Sequence, residues 1–119
     1  MNDKTVLLCL DKMLEAAQQI SEFIDGYSVA QYMADIKTQQ AVAMNFILIG
    51  EAANRIFVDF PDVITENSNI EWMKIRGLRN ILAHEYHNID IASLFQTAST
   101  SVPILLEQIS ALIAKKEIV

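Results

Sequence analysis

The sequence predicts an all-α fold, an up-and-down bundle of four main helices with a short extra helix. Three observations carry this. Apolar residues recur at steps of 4 and 3 over long stretches, the period of one helix face. The 119 residues include only 3 glycines and 2 prolines, so long helices meet few breakers. No segment shows the sustained apolar–polar alternation of a strand. The length matches one domain, and residues 1–119 are read as a single helical unit.

The first helix is marked by Val6, Leu10, Met13, Ala17, Ile20 and Ile24. Gly26 stops it, and Ser28 can cap a new helical start. Val29 to Ala34 reads as a short helical turn, ending by Asp35. The second long helix runs from about Lys37 to Phe57, with its main stripe at Val42, Phe46, Ile49, Ala53 and Ile56. Ala41, Met44, Ile47 and Leu48 widen that stripe, so this helix needs more than one neighbour. Gly50 in its interior is unfavourable by about 1 kcal/mol relative to Ala, which points to close approach by another helix.

Val58 to Asn69 contains Pro61, acids and Asn67 and reads as a loop. Glu71 to about Ala83 is the third long helix. Asp90 can cap the last helical region, Ile91 to about Lys116, whose core stripe is Val102, Leu105, Ile109 and Leu112. Pro103 should kink that helix or restart it, with Thr100 or Ser101 as the new cap. Lys115 and Lys116 complement the helix C-terminal dipole.

Composition limits the partners. A net charge of −6 and a pI of about 4.7 argue against broad binding to duplex nucleic acid, which is dominated by Lys and Arg on phosphates. Any RNA contact is therefore local, and Trp72 to Ala83 fits, carrying Lys74, Arg76 and Arg79 and no acid. A hydrophobic fraction of 52% in so small a chain leaves apolar surface for a second subunit, so a homodimer is expected. Cys9 is the only cysteine; it reads as a buried thiol and suits a reducing cytoplasm. The N-terminus does not read as a signal peptide, and the apolar run Ala41 to Gly50 is too short to span a bilayer, so no membrane partner is expected.

Chemistry concentrates in Arg79-Asn80-Ile81-Leu82-Ala83-His84-Glu85-Tyr86. Arginine stays charged and can clamp a phosphate with two parallel hydrogen bonds. Histidine titrates near neutrality and can take or give a proton. Together they suit phosphodiester chemistry without a metal. On an unbroken helix, Arg79 and His84 lie about 140° apart and share no face. Two geometries bring them together. The helix ends near Ala83 and His84 turns inward, or Arg79 of one subunit meets His84 of another. A helix C-terminus beside His84 would favour its imidazolium.

This stretch resembles the R-x-x-x-x-H motif of the HEPN superfamily, with Asn80 as the polar residue after the arginine. The tyrosine of His84-Glu85-Tyr86 narrows the resemblance to HepT-like toxins, partners of MNT-type nucleotidyltransferase antitoxins. Ile49-Gly50-Glu51-Ala52-Ala53 is similar to that group's central-helix signature. Trp72 and Ile75-Arg76-Gly77-Leu78 are similar to its lead-in, and Pro103 has a counterpart there. The resemblance implies a HEPN-like helical domain and a metal-independent endoribonuclease with no cofactor. It further implies a dimer with a composite cleft. In that cleft His84 deprotonates the RNA 2′-OH, Arg79 stabilises phosphoryl charge, and Asn80 orients one or the other. His84 of the second copy protonates the leaving oxygen. Arg76 and Lys74 are candidate RNA or phosphate contacts. The resemblance also makes Tyr86 the acceptor of AMP from the antitoxin, which silences the toxin.

Plainer roles stand beside these. Arg76 can equally pair with Glu51, Trp72 reads first as a core anchor, and Tyr86 as a core residue with a wet hydroxyl. His84, His87 and Asp90 have a metal-like spacing, but the run lacks a second histidine pair and no metal is expected. The alternative function is a non-catalytic helical subunit that binds and regulates a nucleotidyltransferase. A third reading is a nucleotide-binding helper, with Arg79 and Arg76 on a phosphate.

Overall fold

The computed structural model describes residues 3–118, which form helices joined by short turns with no strand among them. In chain order the helices are α1 (Asp3–Ile24), α2 (Val29–Met33), α3 (Ile36–Asp59), α4 (Pro61–Glu66), α5 (Trp72–Glu85) and α6 (Ile91–Ile118). A single 3-10 turn, Tyr86–Asn88, succeeds α5. The four long helices pack in a row. α1 lies against α3 and α6, α3 also carries α5, and α2 bridges α3 and α6.

The helical stripes form the core as the sequence predicts. Val6, Leu10, Met13, Ala17, Ile20 and Ile24 of α1 are buried, as are Val42, Phe46, Ile49, Ala53 and Ile56 of α3. Val102, Leu105, Ile109 and Leu112 of α6 meet them, and Cys9 is buried. The broad apolar face of α3 is explained by its two neighbours, α1 and α5. Met44 and Leu48 nevertheless remain exposed. Among the described residues, α3 and α6 have the length and apolarity of a bilayer span, although the run Ala41 to Gly50 alone does not. α3 turns its main stripe into the core.

The corner before α3 is built from side-chain caps. Gly26, at φ 77°, ends α1. Ser28 and Gln31 form a reciprocal capping box at the start of α2. Asp35 does not close α2 as expected; it is the N-cap of α3, accepting from Thr38 N at 3.0 Å. Hydrogen bonds from the Tyr27 hydroxyl, and then from the Thr38 backbone and side chain, hold the pKa of the Asp35 carboxyl down at about 2.

Two segments differ from the sequence reading. The stretch expected as a loop after Val58 instead finishes α3 at Asp59 and forms α4. Pro61 opens α4 at N1, where its missing N–H costs no hydrogen bond. Val63 is buried and so gives this short helix a core contact. The second correction concerns Pro103, which lies inside one continuous α6 with no restart. Thr100 does not cap; its hydroxyl donates to the Gln96 carbonyl one turn back at 2.8 Å. Buried Leu94, Ala98, Val102 and Leu105 run without interruption past the proline, and α6 stays packed on α1. Asp90 does cap α6, accepting from Ala92 N and Ser93 N.

Candidate active site

α5 carries most of the candidate residues, and its two faces explain its placement. Trp72 and Leu82 are buried, with Ile75 and Leu78 half-buried beside them. Trp72 is a core anchor, and its indole N–H donates to the Asn67 carbonyl at 3.0 Å. The opposite face of α5 presents Met73, Asn80, Ile81 and His84 to solvent. Gly77 lies among them, and a Cβ added there would meet nothing within 4 Å.

Arg79 is fixed where α5 crosses α3. A Cβ added to Gly50 would overlap Arg79 Cβ, lie 2.6 Å from its Cγ and 3.4 Å from the Ile75 carbonyl oxygen. The close approach expected at Gly50 is therefore present, and its partner is Arg79 itself. The next residue of α3, Glu51, accepts a hydrogen bond from Arg79 Nε on one carboxylate oxygen, and the same oxygen makes an ion pair with Nη2. Arg79 Nη1 donates to Asn80 Oδ1 at 2.7 Å. The guanidinium is thus half-buried and held on two sides.

The partner of Glu51 is Arg79 rather than Arg76. Arg76 instead lies over the Phe57 ring of α3, 4.4 Å from its centroid. The geometric reason is the crossing at Gly50, which lays the Arg79 stem flat on α3 beside Glu51. Lys74 pairs with Glu71 at 2.9 Å. It lines an apolar groove of about 560 Å³ between α5 and α6, floored by Phe46 and Ile49. That groove includes none of Arg79, Asn80, His84 and Tyr86.

His84 lies in the last turn of α5 and is exposed. The helix does not end at Ala83 but continues to Glu85, so His84 does not turn inward towards its own Arg79. No glycine comes next to provide a C-cap, and Tyr86 keeps right-handed helical backbone angles. Tyr86 opens the 3-10 turn, half-buried against the core, with its ring edge-on to His87 at 6.1 Å. Tyr32 is fully buried, tilted against Phe95 at 4.8 Å. Among the described residues its hydroxyl has no hydrogen-bond partner. Burial, and then the Tyr86 phenol, push its pKa up to about 12.

Known proteins share much of this sequence. Residues 13–112 match the family model described as ribonuclease HepT-like. A Methanocaldococcus jannaschii protein named as an RNase is 29% identical over 92% of this chain and 97% of its own length. A Thermococcus cleftensis protein named a probable ribonuclease HepT is 32% identical over 81% of this chain and 84% of its own. A Caldanaerobacter subterraneus protein, also named as an RNase, is 25% identical over 96% of this chain and 99% of its own. No solved structure matches this chain.

Proposed function

The chain belongs to the HepT-like ribonuclease family, and we propose that it is an endoribonuclease toxin whose cleft is completed by a second copy. One observation carries this reading. Arg79 and Asn80 form a hydrogen-bonded pair, while His84 lies exposed on the same unbroken helix, its position about 140° round from that of Arg79. We infer from this spacing that one copy alone does not face its own arginine and histidine onto a single phosphate. The outer face of α5 suits a second copy. Met73 and Ile81 are 68% and 45% exposed, and the space over Gly77 between them is open. A helical glycine with no neighbour of its own lets another helix approach closely.

In the composite cleft, His84 takes the proton of a ribose 2′-OH. The 2′-oxygen attacks the adjacent phosphorus, and the bond to the 5′-oxygen breaks. The leaving oxygen takes its proton from His84 of the second copy. The Arg79 N–H groups still free meet the charge gathering on the phosphoryl oxygens. The products are a 2′,3′-cyclic phosphate and a 5′-hydroxyl, and none of these steps needs a metal. Purified protein is expected to cleave a mixed RNA pool in EDTA and leave cyclic phosphate ends, scored by end-group analysis. Linear 3′-hydroxyl ends, or cleavage abolished by EDTA, would sink this mechanism.

We place the off switch at Tyr86, with a small nucleotidyltransferase as antitoxin. The phenol oxygen loses its proton and attacks the α-phosphorus of ATP, and pyrophosphate leaves, so AMP becomes esterified to Tyr86. The added nucleotide brings bulk and negative charge to the turn just after His84. After co-expression with such an antitoxin, intact-mass and peptide spectra should locate AMP on Tyr86. A silenced complex in which Tyr86 is unmodified would show inhibition by binding alone.

A further inference from the structure

We propose that Glu51 is a positioning residue for the ribonuclease reaction, a proposal that rests on the reading above. It holds the Arg79 guanidinium so that one pair of N–H groups is left for a phosphate. An arginine side chain offers five N–H donors in a rigid planar fork. Glu51 takes Nε–H and sets the same oxygen against Nη2 as an ion pair, and Asn80 takes one N–H of Nη1. Each terminal nitrogen keeps at least one N–H donor free. Two such donors can meet two oxygens of one phosphate in parallel.

The clamp depends on the residue before it. Gly50 brings α3 against Arg79 Cβ and Cγ, so the arginine stem lies on α3 and its head reaches the next side chain, Glu51. Glu51 is half exposed, and its carboxylate also repels an incoming phosphate. It therefore gains orientation at the expense of attraction. For a group that must meet charge as it develops, orientation fixed beforehand is the larger effect.

The test uses the full chain, with RNA cleavage measured for wild type, Glu51→Ala and Glu51→Gln, and folding checked by thermal melting. Glu51→Ala should lower kcat about tenfold or more, because a loosely held catalytic group costs that order of rate. Glu51→Gln keeps an acceptor oxygen for Arg79 and should hold kcat within about threefold of wild type by the same argument. KM should fall in both, since each removes a negative charge beside the phosphate. A purely structural role would not produce that split. Unchanged kcat in Glu51→Ala, or equal loss in both variants, overturns the proposal. If wild type cleaves no RNA, the ribonuclease reading itself fails. The clamp is then judged by NMR. The Arg79 Nε–H signal should be protected from exchange in wild type and lose that protection in Glu51→Ala; an unprotected signal in wild type overturns the clamp.

Discussion

Arg79→Ala and His84→Ala should each lower RNA cleavage at least about a hundredfold, the usual scale for losing a charge-stabilising donor or a general base. Mixing the two variants should restore part of it. The reason is geometric, since α5 is unbroken from Trp72 to Glu85 and helical spacing sets the two positions about 140° apart round it. If the cleft draws Arg79 from one copy and His84 from the other, a mixed dimer regains one intact pair. Random re-association gives about half mixed dimers, each with one of its two sites whole, so recovery has a ceiling of about a quarter. Recovery will be lower than that, because the second copy's His84 is the acid for the leaving oxygen and a mixed dimer has only one His84. Cleavage measured after co-refolding, with mixing verified by tagged subunits, decides the matter. Recovery in verified mixed dimers would show that Arg79 and His84 act across copies. Full activity in either single variant would remove that residue from the chemistry.

Gly50→Ala should destabilise the fold and disable the site together. In an open helix the same change stabilises by about 1 kcal/mol. Here the added methyl overlaps Arg79 Cβ, an atom fixed to the α5 backbone that cannot rotate away. α5 must shift off α3, and overpacking of this kind costs about 1–3 kcal/mol. The same shift pulls the Arg79 guanidinium from Glu51. Melting several degrees below wild type is expected, with cleavage reduced even at temperatures where the variant is folded. Gly77→Ala is the control, because its added Cβ meets nothing and the monomer should melt no lower than wild type. Wild-type melting and cleavage by Gly50→Ala would show that α3 and α5 are not in such close contact.

Much of this molecule is legible in its sequence, because helix faces are a local property. The steps of 4 and 3 identify the stripes of α1, α3 and α6, and all of those residues are buried. Ser28 and Asp90 are legible as caps because the hydrogen bonds they accept come from residues within three positions. α4 is not, because six residues are too few to show a period, although Pro61 at N1 is a start signal. The sequence ends α5 too early because no glycine or proline marks its true end. The difference matters, since two more helical residues keep His84 on the helix.

The sequence by itself determined the helical class, the core stripes, the family and the eight residues proposed to carry the chemistry. Only the tertiary structure decided how those residues are paired. It gave Glu51 to Arg79 rather than Arg76, laid Arg76 on Phe57 and turned Lys74 to a separate groove. The physical reason is range. A helix and its caps depend on neighbours a few residues away, whereas Glu51 and Arg79 are 28 residues apart. Their meeting depends on where two helices cross, and Gly50 sets that point by having no side chain to keep them apart.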